Sequence, residues 1–554
     1  MRKFTAKLFP LALLLLVIGC GQPEVVLTED STTTTTTSTT TTTAAGITTT
    51  TTSTTTTLPG ATTTTSTTTT TVPSSASYYD FSPTAGGTLY EVGPGKAYTN
   101  IGDVPLESLQ AGDVVRVYWR STPYKEKVLL SGTGTAAAPI VLMGVPNASG
   151  DLPVLDGTNA TTRDQLRYYQ LGDAQRGVVT IGSNHTLGDS YKPSYIIVAN
   201  LELKSANLDN TFTYNHGSGT ATYSYLSNAA SIHIPRGDHI KIYNCVLQDS
   251  GNGLFAASSA GIEAYMTRDI LVEGCYIHNN GVVGQDTRHN VYTEVIGIVF
   301  QYNRFGPPRA SSWGNNLKDR SAGTVIRFNW FEGGARQCDL VEADNSGGVT
   351  DLDPSYAKTY VYGNIFIKGS DSTSSQVIHY GGDLDGAPTY LRYRQGTLYF
   401  YNNTVVSRRV TAILGLDVPA SIANVRNNII YSVSGAGEYP GIITLSGTAN
   451  MYNNWIWANP DPNLKMHDLY KTPQPGDVPG TVNWHTTTLE GSSIDAVFVD
   501  HTNNDFRLKT GSPCIGSGGS LSPDVSAYPL NKQYKLHQKS ESRSDTSDIG
   551  GFAR

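Results

Sequence analysis

The chain has 554 residues, with 56 Gly, 32 Tyr, 38% hydrophobic and only 15% charged residues. That is ample apolar material for one long core, without the Leu, Ala, Glu and Lys enrichment of a helical domain. A net charge of −7 and a pI near 5.9 leave no basic footprint, which sets nucleic-acid partners aside.

In chain order, Arg2, Lys3 and Lys7 precede an apolar run over Leu8–Ile18 that leads into Gly19-Cys20. A charged start followed by a short apolar stretch reads as an export signal over residues 1–20, too short to span a membrane. Its end resembles the lipobox of bacterial lipoproteins, which implies lipidation of Cys20 and anchorage of an exported protein to a membrane. Gly21 follows Cys20 where an inner-membrane retention signal has Asp, so outer membrane, cell surface and periplasm are all open as destinations. Residues 21–77 read as a linker that is nearly all Thr and Ser from Thr28 to Ser77. Such a segment buries nothing to offset its ordering entropy and is expected to be a disordered tether, open to O-glycosylation. About fifty residues of flexible coil reach roughly 40 Å.

From Ile196 to Trp457 a short phrase returns: β-formers, then Asn or Cys, then β-formers. The polar residues are Asn200, Cys245, Cys275, Asn303, Asn329, Asn364, Asn403, Asn428 and Asn454, spaced by 45, 30, 28, 26, 35, 39, 25 and 26 residues. Spacings with a floor in the mid-twenties point to the coil of a parallel β-solenoid whose longer steps are loops. An Asn at each bend tolerates a left-handed corner, and stacked amides bond along the row. Cys245 and Cys275 occupy the same row on successive coils, where a small buried thiol is sufficient reason for Cys, although export also permits a disulfide between them. Residues 78–554 are therefore expected to form one domain.

That domain opens with Gly95-Lys96-Ala97-Tyr98, a run over Leu109–Val117, Pro139-Ile140-Val141-Leu142-Met143-Gly144 and Pro153-Val154-Leu155-Asp156-Gly157. These segments closely resemble the opening coils of the pectate-lyase-like superfamily, notably the branch of alginate lyases and chondroitinase B. Asp505-Phe506-Arg507-Leu508 and Asp548-Ile549-Gly550-Gly551-Phe552 resemble the tail that closes many such proteins. The resemblance implies an all-β fold, a single-stranded right-handed parallel β-helix, which agrees with the Asn/Cys ladder read from the repeats; a monomer is expected.

Stacking the coils on their Asn or Cys aligns Ile232, Ile262, Val291 and Leu317 in one inward row. Alternation then points His233, Glu263, Tyr292 and Lys318 outward, with Tyr265, Glu294 and Arg320 in a parallel column. Past longer loops the pattern adds Glu342, Asp344 and His379, while His289 and Asn290 precede the Tyr292 strand and flank the same face. The result is a polar, aromatic face suited to an acidic polysaccharide. Against it stands the plain reading of a solvated sheet face with surface ion pairs, each worth under about 1 kcal/mol.

In uronate β-elimination a base takes the proton alpha to a carboxylate while cations neutralise that carboxylate. Lys318 is the expected base, Arg320 the carboxylate or leaving-group partner, and Tyr292 and His379 the proton relay or sugar platform. The lyase resemblance implies nearby Ca2+, with Glu342 and Asp344 as its ligands. The Arg-His-Gly element of those lyases is replaced here by Cys338-Asp339-Leu340-Val341-Glu342. Hydrolysis by paired acids is a weaker reading, because Asp383 and Asp385 sit among glycines that favour a turn. There is no Gly-x-Ser-x-Gly, His-Glu-x-x-His or Cys-x-x-Cys. The competing class is a surface protein that binds glycans without altering them. The grouping His289-Asn290-x-Tyr292 with Asn316-x-Lys318-x-Arg320 also resembles uncharacterised exported β-helix lipoproteins.

Overall fold

A computed structural model describes residues 78–554 apart from 85, 384–392, 436–437, 462 and 486–487, together with strands over Thr34–Ala44, Ile47–Thr57 and Thr64–Pro73. The signal segment and Cys20 lie outside the described residues. The chain divides into two units, Met1–Ser77 and Tyr78–Arg554. In the first, the three Thr-rich strands pair antiparallel in sequence order. Here the sequence predicts a disordered tether. The β-branched side chain of Thr favours extended backbone, and runs of it can pair without an apolar core.

In the second unit, hydrophobic alternation with a fixed stacking row winds the chain into parallel sheets. Among the described residues there are three long ones, of 14, 13 and 11 strands. One coil supplies one strand to each, as in Val291–Glu294, Ile296–Gln301 and Arg304–Phe305. Successive coils pair in parallel, with Ile240, Ile270 and Ile298 in register along the interior. The inward side chains merge into one continuous core from Val92 to Ile456. This is the parallel β-helix expected from the repeats.

All nine ladder residues are buried. From Cys275 onward each is linked to the next coil: the Cys275 amide donates to Asn303 Oδ1 at 2.9 Å, and Asn303 Nδ2 donates to Asn329 Oδ1 at 3.0 Å. The chain of amides continues through Asn364, Asn403, Asn428 and Asn454. The left-handed corner, however, falls on Asn200 itself only in its own coil. In the later coils it falls one residue earlier, at Asn244, Gly274, Tyr302, Phe328, Gly363, Asn402, Asn427 and Asn453. The ladder Asn is thus selected for its inward amide, and its neighbour absorbs the bend. Cys245 and Cys275 are free thiols, with the Cys245 amide 3.4 Å from Cys275 Sγ.

The C-terminal region does not close an end of the solenoid. It runs back along its side, where Phe498, Phe506, Tyr534 and Phe552 pack with Trp330, Ile365 and Trp455 in an apolar cluster separate from the core. Gly550 and Gly551 donate to Asn427 O and Thr404 Oγ1.

Candidate active site

Parallel register places one outward-facing row on the 14-stranded sheet: Thr180, His233, Phe255, Tyr292, Lys318, Asp339, His379 and Gly415. The residues before the central members, Leu254, Val291, Leu317, Cys338 and Ile378, are fully buried and fix which way the strands face. A second amide ladder sets their entry, with Asn280 Nδ2 donating to Asn290 Oδ1 at 3.1 Å and Asn290 Nδ2 to Asn316 Oδ1 at 2.8 Å.

On this row Lys318 Nζ bonds Asp339 Oδ2 at 3.1 Å and also bonds Asp383 Oδ2. Arg320 reaches the other oxygen of Asp383 from Nη2 at 2.7 Å, donates from Nε to Tyr292 Oη at 2.9 Å, and pairs through Nη1 with Glu342 at 3.3 Å. Asp339 is fully buried and accepts from Lys318, from Asn315 Nδ2 at 2.9 Å and from Arg336 Nη1 at 3.0 Å. His379 bridges two carboxylates, Asp339 at Nδ1 and Asp417 at Nε2, each at 2.6 Å.

These contacts set the charges. Burial alone favours a neutral Asp339, but the Lys318 charge, the His379 bond and Arg336 outweigh it and hold the carboxyl well below its usual range. Asp383 is likewise held low, as Lys318 and Arg320 overcome its burial. Burial favours neutral imidazole at His379, yet the bonds and charges of Asp339 and Asp417 push it up to about 9. His289 goes the other way: burial first, then Lys318, lowers it to about 3. Its Nδ1 accepts from the Asn315 amide at 3.0 Å, so the proton of the neutral ring resides on Nε2.

Above the row lies a cleft of about 720 Å3 lined by Arg288, His289, Tyr292, Lys318, Arg336 and Asp383, among others, with half-exposed Trp313 on its wall. It brings together the expected Lys318, Arg320, Tyr292 and His289, and His379 follows two strands further along the same row, next to Asp339. Tyr292 lies against His289, ring centroids 6.1 Å apart.

Other expected site residues stand elsewhere. Phe255, not Glu263, follows His233 in the row. Glu263 and Tyr265 belong to a short 3-10 turn, where Glu263 pairs with Arg268 at 2.8 Å and Tyr265 lies under Arg236. His233 is buried against Phe255, and Asn290 is buried in the amide ladder. Glu294 is fully buried and fastens a loop, accepting from the Asp344 and Ser346 amides at 3.0 and 2.6 Å. The calcium expectation does not fit either. Glu342 faces Arg320 and accepts from the Asp383 amide at both oxygens, while Asp344 is exposed. Among the described residues no group of three or more His, Cys, Asp or Glu is placed to hold a metal ion.

No family model and no curated protein matches the sequence. Solved structures with a similar chain path include the GH136 lacto-N-biosidase from Eubacterium ramulus, 12% identical with a TM-score of 0.42 over 73% of this chain and 68% of that one. Another is a mannuronic acid specific polysaccharide family 6 lyase from human gut microbiota, 12% identical with a TM-score of 0.30 over 70% and 83%. A third is the pectin methylesterase from Aspergillus niger, 10% identical with a TM-score of 0.23 over 81% and 95%.

Proposed function

We propose that this cleft binds an acidic polysaccharide and cleaves it by β-elimination, on a protein anchored outside the cell through Cys20. One observation carries the reading: Lys318 and Arg320 converge on the two oxygens of a single carboxylate, Asp383. A uronate carboxylate is the same group, and one that displaces Asp383 meets both cations. The donors are already fixed by Tyr292, Glu342 and Asp339, so little ordering is left for the ligand to supply.

In its amine form Lys318 takes the sugar proton alpha to the carboxylate. The electron pair becomes the new ring C=C bond as the glycosidic C–O bond breaks, and the leaving oxygen takes the Tyr292 hydroxyl proton. Arg320 Nε donates to Tyr292 Oη, which leaves the phenol hydrogen free to point into the cleft. The Nε2 hydrogen of His289 supplies a neutral donor for the charge that develops on the sugar carboxylate.

Hydrolysis is less well served. Asp339 and Asp383 share one ammonium, which brings their nearest oxygens within about 6 Å, a spacing compatible with a glycosidase pair. Both are held in the carboxylate form, so neither is a proton donor to a leaving group.

A second reading rests on the Lys318 ion pairs. They are those of an ammonium, and Asp339 stays bonded when Asp383 is displaced, which favours a receptor that holds glycan without turnover. Lys318→Ala separates the two. Loss of turnover with affinity nearly intact marks the enzyme; loss of affinity in a protein that never turns over marks the receptor.

A further inference from the structure

A second cavity of about 520 Å3 adjoins the main cleft, the two sharing Trp313, Ala335 and Thr373 in their walls. This second cavity lies along the turns that lead from the 11-stranded to the 14-stranded sheet, from Pro307 in one coil to Arg408 in a later one. The indole of Trp313 is 50% exposed where the two meet.

The charges around it are unusual. Arg408 lines the cavity and donates from Nη2 to His501 O at 3.3 Å and Asn504 Oδ1 at 2.7 Å. Arg409 donates to Ser372 O, and Lys368 Nζ to Ala335 O at 2.7 Å and Gln376 O at 2.9 Å. Among the described residues none of these three cations has a carboxylate within ion-pair range. Burial, then Arg409 and Arg336, holds Lys368 well below its usual range, as expected where positive charges crowd without counter-ions. Of the two acids on the walls, Glu332 is occupied by Arg304 and the Trp330 indole, and Asp371 is exposed at the rim.

The geometry points to a second subsite for the same polyanionic chain, with Trp313 stacking a sugar ring at the junction and Arg408 binding a carboxylate or sulfate on a sugar beyond it. It rests on the acidic-glycan reading of the main cleft and adds a site that makes affinity depend on chain length. An aromatic face beside an uncompensated guanidinium suits a ring that carries an anion.

Calorimetric titration of the full chain with a uronate disaccharide and hexasaccharide tests it, with sulfated and neutral hexasaccharides as further arms. Trp313→Ala and Arg408→Gln are expected to weaken hexasaccharide binding about tenfold while leaving the disaccharide within about twofold, and Trp313→Phe to recover most of the loss. The uronate and sulfated arms identify which anion is read, and the neutral arm is expected to be insensitive to Arg408→Gln. Equal losses for both lengths, or none, overturn the subsite while leaving the main cleft standing. A wild-type protein that binds no acidic glycan of either length overturns both.

Discussion

Lys318 and Arg320, two residues apart, approach one carboxylate from the same side, Nζ at one oxygen of Asp383 and Nη2 at the other, the latter at 2.7 Å. Asp383 follows a turn and its side chain is 30% exposed, whereas the cations are nearly buried. If it stands where a sugar carboxylate binds, Asp383→Ala removes a competitor. Affinity for polyuronates should rise about three- to tenfold, a gain of roughly 1 kcal/mol, by calorimetry. A fall would place Asp383 among the groups that hold the sugar.

Asp339 is the buried centre of the network, bonded by Lys318, Asn315, Arg336 and His379. Asp339→Ala strands two buried cations and should cost about 3–5 kcal/mol in denaturant unfolding. Tyr292→Phe removes only a hydroxyl that accepts from Arg320, and its stability cost should be about 1 kcal/mol. Activity should fall in both, so the contrast in stability separates support from chemistry.

His379 makes stability depend on alkaline pH. Its folded value of about 9 lies above the unfolded value of 6.5, so the protonated ring stabilises the fold fully below the latter and progressively less as pH rises through the former. The loss should be of order 1–3 kcal/mol between about pH 6.5 and 9. Unfolding measured across that window should show the decline in the wild type and a flatter profile in His379→Gln.

His289, lowered to about 3, stays neutral through the physiological range. It should add no inflection to a rate profile near about pH 6.5, where an ordinary histidine titrates. His289→Phe should reduce turnover about ten- to a hundredfold across that range without changing the shape of the profile. A profile whose acid limb disappears in the variant would falsify the neutral-donor role.

The solenoid was legible in the sequence because stacking imposes a period: Asn303, Asn329 and Asn364 recur where amide meets amide. The inward placement of Val291 and Leu317, and hence the outward Tyr292 and Lys318, follows from the same period. The pattern misleads where loops intervene. Counting back from Cys275 selects Ile262, but the strand of that coil is Asn252–Ala257, with a 3-10 turn between, so Glu263 and Tyr265 leave the sheet. Past Lys318 the strand Cys338–Leu340 comes earlier than the pattern suggests, which makes Asp339 rather than Glu342 its neighbour. Asp383 and Asp417 reach the site from beyond their strands, Gln376–Tyr380 and Ala412–Leu416, and no periodicity encodes that reach. Asp339 between Arg336 and Leu340 carried the one local signal: an acid alternating with apolar residues at a strand position.

The cations around Lys318 are proposed to serve elimination on a uronate chain. The direct measurement follows the ultraviolet absorbance of the unsaturated uronate product while the protein is mixed with a panel of uronic-acid polysaccharides. A rise is expected with at least one member, and Lys318→Ala should abolish it. A flat trace across the panel, with binding still detectable on the same glycans, contradicts it and leaves a glycan receptor.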